Sequence, residues 1–176
     1  MSPRAASLMT LLALAAVAAG APAWAKSSDR NQPMDLVSDS NDCSVADDGG
    51  PCVFTGNVRI VQGTLDVRAA KADVRRGGGD IQKVILTGSP VRLKQDLDSG
   101  GSIDATANSV DYNLQTDTVV FTGDVEINQP GRGTMGGGRI VYNMTTGRVQ
   151  GAGDGEGGQI RTRILPKGAR TGQDGS

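Results

Sequence analysis

The chain has no histidine, only two cysteines and few aromatic residues, 3% of 176. Without histidine it lacks the commonest general base near neutral pH and the commonest zinc ligand. With so few cysteines, a metal site would rest on carboxylates alone. No metal, no cofactor and no catalytic centre are expected. An excess of either charge is missing too: beyond residue 25 there are 17 basic and 19 acidic residues, since residues 1–25 carry only Arg4. With no basic groove and few rings to stack on bases, nucleic-acid binding is excluded as a function class. Long hydrophobic runs are absent after residue 25 as well.

What is plentiful is glycine, 26 residues against 7 prolines. That composition favours a turn-rich β protein with a thin core over a helical bundle, and the length suits one domain with extra segments at its ends. At the N-terminus, Arg4 precedes the apolar run Leu8–Ala19 and the small-residue site Ala23-Trp24-Ala25. This is the pattern of a secretory signal cut after Ala25. The run of about 12 residues is too short for a bilayer, which needs ~20. The expected mature chain is therefore soluble and exported into an oxidising space. There, Cys43 and Cys52, which flank the turn-rich Asp47-Asp48-Gly49-Gly50-Pro51, suit a structural disulfide at a hairpin tip. Their spacing is not the Cys-x-x-Cys of a redox pair.

One phrase recurs three times: Phe54-Thr55-Gly56-Asn57-Val58, Leu86-Thr87-Gly88-Ser89-Pro90-Val91 and Phe121-Thr122-Gly123-Asp124-Val125, with glycines 32 and 35 residues apart. Such a period marks a repeat whose single unit cannot bury its own apolar face. Around it the chain alternates apolar and polar residues, as strands do. Met34–Ser38 reads as a first strand. Phe54, Val58 and Ile60 share one face of the next, and Leu65, Val67 and Ala69 follow after a turn at Gln62-Gly63-Thr64. Ile81–Leu86 and Val91–Lys94 read as separate short strands. Two similar hairpins turn at Gln115-Thr116-Asp117 and Thr145-Thr146-Gly147, and a last strand is expected within Gln159–Leu165. Residues 26–33 are polar and expected to be mobile, as is the tail 166–176. The fold class is all-β, with the domain spanning residues 26–165.

Three motifs yield to blander readings. Gly131-Arg132-Gly133-Thr134-Met135-Gly136 fits the dinucleotide pattern literally, but it joins two strands where the chemistry needs a helix N-terminus. Gly153-Asp154-Gly155-Glu156 matches one turn of a calcium-binding β-roll, which works only in tandem. Asp47 and Asp48 are adjacent acids on a turn, where side chains face water. What remains is a line of inward Val, Ile, Leu and Ala side chains. A core explains such a line by default. A repeat sheet that does not close leaves an apolar trough suited to a linear aliphatic ligand, and unpaired strand edges that invite assembly.

Gln32-Pro33-Met34-Asp35-Leu36-Val37-Ser38-Asp39, the Phe54-to-Val58 phrase with Gln62-Gly63-Thr64, Tyr112 with Leu114, and Val120-to-Val125 resemble the LptA (OstA-like) family of periplasmic lipopolysaccharide transport proteins. The likeness runs from about Asn31 to Leu165. It implies a twisted, open β-jelly roll of about 16 antiparallel strands whose trough shelters the acyl chains of lipopolysaccharide. It implies a place in the periplasm and partners at either end, LptC at the inner membrane and the N-terminal domain of LptD at the outer. Copies would associate head to tail, with energy supplied by an inner-membrane transporter. The family's groove-lining and N-terminal-edge positions fall on Met34, Leu36, Leu93, Tyr112 and Leu114. Strand phase adds Val58, Ile60, Phe121, Val125 and Ile127, for which a core role is an equal alternative. Leu93 stands where an aromatic is commoner, and the Cys43–Cys52 segment carries a small insertion.

Two other classes compete. A β-solenoid enzyme or glycan-binding module needs clustered carboxylates or exposed aromatics, and here acids scatter to turns. A structural filament former would share the edge assembly without binding lipid.

Overall fold

The computed structural model describes residues 27–44, 50–153 and 158–166. The expected signal segment 1–25, Asp47 and Asp48, Asp154 to Glu156, and the tail beyond Pro166 lie outside them.

Alternating side chains produce ten strands: β1 (Met34–Val37), β2 (Ser40–Cys43), β3 (Cys52–Gln62), β4 (Leu65–Gly77), β5 (Asp80–Asp96), β6 (Ser102–Asn113), β7 (Thr118–Gln129), β8 (Gly133–Asn143), β9 (Arg148–Ala152) and β10 (Arg161–Ile164). They form one antiparallel sheet in the order β1-β3-β4-β5-β6-β7-β8-β10, with β2 also beside β3 and β9 also beside β8. Turns lie at Gly63 and at residues 114–117 and 144–147, as the sequence suggests, and Met144 N donates to Asp117 O between the last two.

The sheet is folded in two. Register slips at one level in successive strand pairs: between Thr55 and Val58, Arg68 and Lys71, Thr87 and Val91, Thr106 and Ser109, and Thr122 and Val125. Each irregularity bends its strand and tightens the twist, and aligned across the sheet they make a fold line. The repeated phrase supplies the corners. Gly56 (φ 78°) and Asn57 (φ 44°), like Gly123 (φ 75°) and Asp124 (φ 46°), are consecutive residues in the left-handed region, which glycine tolerates best and Asn or Asp next. At Gly88 the same line is reached with a cis Ser89-Pro90 bond. The two short strands expected on either side of Gly88 are therefore one, β5, bent at its middle. The ten strands are fewer than the about sixteen implied by resemblance. The long strands β3 to β8 run unbroken through the fold line.

Strand pairing aligns side chains into rows across the sheet. In the first half-sheet, Leu36, Ile60, Val67, Leu93, Ala105, Ile127, Met135 and Thr162 stand opposite one another in turn. In the second, the row is Cys43, Cys52, Val74, Val84, Tyr112, Val119, Tyr142 and Val149. Both rows face inward. Next to the fold line the inward residues are small and fully covered, among them Val58, Val91, Ala107 and Val125 at 1–3% exposure or less. Small side chains let the halves close there; larger, half-covered ones stand farther out.

Cys43 and Cys52 are opposite one another in the β2–β3 ladder and form a disulfide. The polar segment expected to be mobile forms a short 3-10 helix, Ser27–Asn31. Its Asp29 is buried and accepts hydrogen bonds from Thr64 Oγ1 (2.6 Å) and Gln95 Nε2 (3.1 Å). Burial of a carboxylate is tolerable only with such partners. They come from residues 35 and 66 positions away, which local composition does not reveal.

Candidate functional site: an apolar cavity between the half-sheets

Between the inward faces lies a cavity of about 440 Å³. The first half-sheet contributes Ile60, Val67, Leu93, Ile127 and Met135, and the second Val84, Tyr112, Val119, Phe121 and Tyr142. Walls from both halves meeting on one space follow from the fold line, which turns a flat sheet's single apolar face upon itself. Polar side chains in the lining are few: Gln95, Gln129, Arg132, Thr134, Thr162 and Arg163. A space of this kind offers shape and apolar contact without directional chemistry, which suits an alkyl chain better than a polar metabolite. Among the described residues no three His, Cys, Asp or Glu side chains gather to hold a metal ion.

Charge is kept outside. On the outer surface Arg59 donates two hydrogen bonds to Asp66, Nε to Oδ1 at 3.3 Å and Nη2 to Oδ2 at 2.7 Å. That bonding holds the Asp66 carboxyl below its ordinary value; partial burial opposes the shift, and the charges of Arg59 and Arg68 reinforce it. Lys83 and Asp111 pair at 2.7 Å on the outer face of the second half-sheet. Apart from Arg132 and Arg163, the cavity lining is uncharged, while ion pairs lie on the outer face, the division expected of a sheet with one wet face.

Residues 38–148 match the family model described as LptA/(LptD N-terminal domain) LPS transport protein. The lipopolysaccharide export system protein LptA of Escherichia coli strain K12 is 32% identical over 162 residues, covering 91% of this chain and 85% of that one. The chain belongs to the LptA/LptD N-terminal domain family. LptA of Haemophilus influenzae is 30% identical over 153 residues, covering 85% of this chain and 87% of its own. In fold, the chain resembles the crystal structure of LptH from Pseudomonas aeruginosa, the LptA-homologous periplasmic component of the lipopolysaccharide transport device. The TM-score is 0.69 at 23% identity, over 79% of this chain and 99% of that one. The all-β class read from the residues, and the β-jelly roll that the family resemblance implies, are the fold that this LptA-like chain has.

Of the ten residues singled out from sequence, Met34, Ile60, Leu93, Tyr112, Phe121 and Ile127 line the cavity. Leu36 and Leu114 pack partly covered against the core beside it. Val58 and Val125, 2% and 3% exposed, lie at the fold line, inside the packed core. Strand phase puts them on the correct face but carries no information about depth. Sequence reasoning missed Met135, Val119 and Tyr142 as wall residues of this LptA-family cavity. A signal for Tyr142 existed: Val141-Tyr142-Asn143 repeats Asp111-Tyr112-Asn113 one hairpin later.

Proposed function

We propose that this chain is a periplasmic carrier that shelters the acyl chains of lipopolysaccharide in the cavity while the sugars remain in water. The observation that carries this reading is the apolar interior between two half-sheets in a member of a lipopolysaccharide transport family. Each methylene withdrawn from water contributes about 0.8 kcal/mol, so covering five of them contributes about 4 kcal/mol without any polar contact. Lateral movement along such a wall costs little, because dispersion contacts have no preferred partner.

The chain would form part of a bridge from the inner to the outer membrane. LptC would meet it at one end and the N-terminal domain of LptD at the other, with further copies joining head to tail between them. Two open edges support this: β1 with β2 at one side of the sheet, β9 with β10 at the other. Transport by such a bridge needs no catalysis by this chain. A glycan-binding role fits poorly, because Phe54, Tyr112, Phe121 and Tyr142 all pack toward the interior, where sugars could not stack on them.

Photo-crosslinking in cells tests the carrier role. A photoreactive residue at Leu93, Ile127 or Tyr142 is expected to capture lipopolysaccharide, and one at Arg59 or Thr116 on the outer surface is not. Equal capture at wall and outer positions, or none at the wall in a folded exported protein, would return the cavity to the status of a loosely packed core.

A further inference from the structure

Gly131-Arg132-Gly133-Thr134 carries the chain from β7 into β8, and the C-terminal strand β10 lies against it. Arg132 N donates to Gln129 O at 2.9 Å, closing the turn, and Leu165 N donates to Arg132 O at 2.9 Å. A Cβ on Gly133 would overlap the carbonyl oxygen of Arg163, so glycine is what lets β10 approach here. Arg163 stands opposite Thr134, and the same register continued by one step sets Leu165 opposite Arg132. Arg132 and Arg163 are therefore diagonal neighbours on adjacent strands, about 7–8 Å apart at the backbone and within reach of each other's long side chains. Strand phase turns both of them, and Thr134, to one side.

Both arginines stand at a rim of the cavity. Ile164 lines it as well and is 80% exposed, so the apolar interior meets water at this strand. Among the described lining residues these two are the charged ones, and no carboxylate accompanies them. Arg59, Arg68, Arg75 and Lys83 each face an aspartate, whereas among the described residues neither Arg132 nor Arg163 belongs to an ion pair. Apolar walls that end in two cations match an amphiphile whose alkyl chain ends in an anion. A guanidinium grips phosphate through two parallel hydrogen bonds. Two such forks and the Thr134 hydroxyl supply donors for the three terminal oxygens of a phosphate monoester, one more than a carboxylate has.

We propose that Arg132 and Arg163 clamp the phosphate of an amphiphile's headgroup at this rim, with Thr134 as a third donor, while the alkyl chain lies between the half-sheets. The clamp rests on the carrier reading above. It gives a stopping place and an orientation to a ligand that the apolar walls alone would hold without either.

Calorimetric titration of the full mature chain tests the clamp, using dodecyl phosphate, dodecyl maltoside and inorganic phosphate, the first two below their micelle-forming concentrations. In physiological salt, where screening confines charge effects to about 8 Å, dodecyl phosphate is expected to bind about tenfold tighter than the neutral maltoside. Inorganic phosphate, which lacks the chain, should bind at least roughly a hundredfold more weakly than dodecyl phosphate. Arg132→Gln and Arg163→Gln should each weaken dodecyl phosphate about threefold, and both together about tenfold, because each removes one exposed charge contact. Neither should change binding of the maltoside. Arg161→Gln removes the same charge from β10 at a position outside the cavity lining and should leave both amphiphiles unchanged. All three arginines are exposed, and unchanged thermal melts would show that the fold is intact. A wild type that binds neither amphiphile would remove the carrier reading and the clamp together. Equal affinity for the two amphiphiles, or an effect of Arg161→Gln as large as that of Arg163→Gln, would overturn the clamp and leave the carrier reading standing. Inorganic phosphate bound as tightly as dodecyl phosphate would also overturn it, making the arginines a site for free anions.

Discussion

Asn108 reaches across the fold line to Asp124, donating from Nδ2 to Oδ2 at 3.1 Å, and in doing so fills the space beside Gly123. A Cβ on Gly123 would lie 2.8 Å from that same Nδ2. The corner therefore needs glycine twice over, for its φ of 75° and for the room. Gly123→Ala is expected to cost about 2 kcal/mol, since a left-handed alanine costs 1–2 kcal/mol before any displacement of Asn108. The melting temperature should fall by roughly 5 °C. A melt within 1 °C of wild type would mean that the corner relaxes freely.

The disulfide ties β2 to β3 at the end of their ladder away from the corresponding corner, where the side chain of Asn57 donates to Asp39 at 2.9 Å. Replacing both Cys43 and Cys52 by serine removes a crosslink of sequence separation 9 and is expected to cost roughly 2–3 kcal/mol. Cys52 is buried in the core row, so its serine adds a polar atom where only an apolar one fits. Thermal melts with and without reductant check this: the wild type in reductant should approach the double variant.

The alternation of Phe54, Val58 and Ile60, or of Leu65, Val67 and Ala69, identified strands and the buried face because period two is a local property. The recurrence of Thr-Gly was legible as a repeat, but its meaning as a corner was not. A corner exists only when bulges in neighbouring strands align, and that is decided by pairing between residues as distant as Thr55 and Lys71. Depth was illegible for the same reason. Val125 and Ile127 share a face, yet one is sealed at the fold line and the other opens on the cavity. Asp29 was the clearest miss, because a polar segment next to a cleavage-like site gives no hint that Thr64 and Gln95 await it.

The Arg59–Asp66 pair makes stability depend on pH in a stated direction. Asp66 has its pKa lowered chiefly by the hydrogen bonds from Arg59. A carboxylate of depressed pKa adds stability above its unfolded value and loses it as pH falls through the folded one. The pair is partly open to water, with side chains 51% and 31% exposed, so its contribution is small and screened by salt. Asp66→Asn should melt below wild type at pH 7 and low salt, and the gap should close below the carboxylate range. A gap that persists undiminished at pH 2 would assign the loss to packing.

Core and wall can be separated by one pair of substitutions in equivalent phase. Val58 is sealed, so Val58→Ala removes two methyl groups from a filled site and should cost about 2 kcal/mol, transfer and residual cavity together. Its effect on lipopolysaccharide binding, measured at a temperature where both proteins are folded, should be less than twofold. Ile127 faces the cavity and is only half covered. Ile127→Asp puts a charge where an acyl chain would lie, and the unpaired carboxylate must be desolvated whenever the ligand enters. Binding should fall at least tenfold, while the empty protein, in which Ile127 is only partly buried, should lose less stability than a sealed site would. Glu126→Gln, one residue away on the outer face, should leave both quantities unchanged. If Ile127→Asp bound lipopolysaccharide as tightly as wild type, the acyl chains would have to lie elsewhere, and the inward rows would be core throughout.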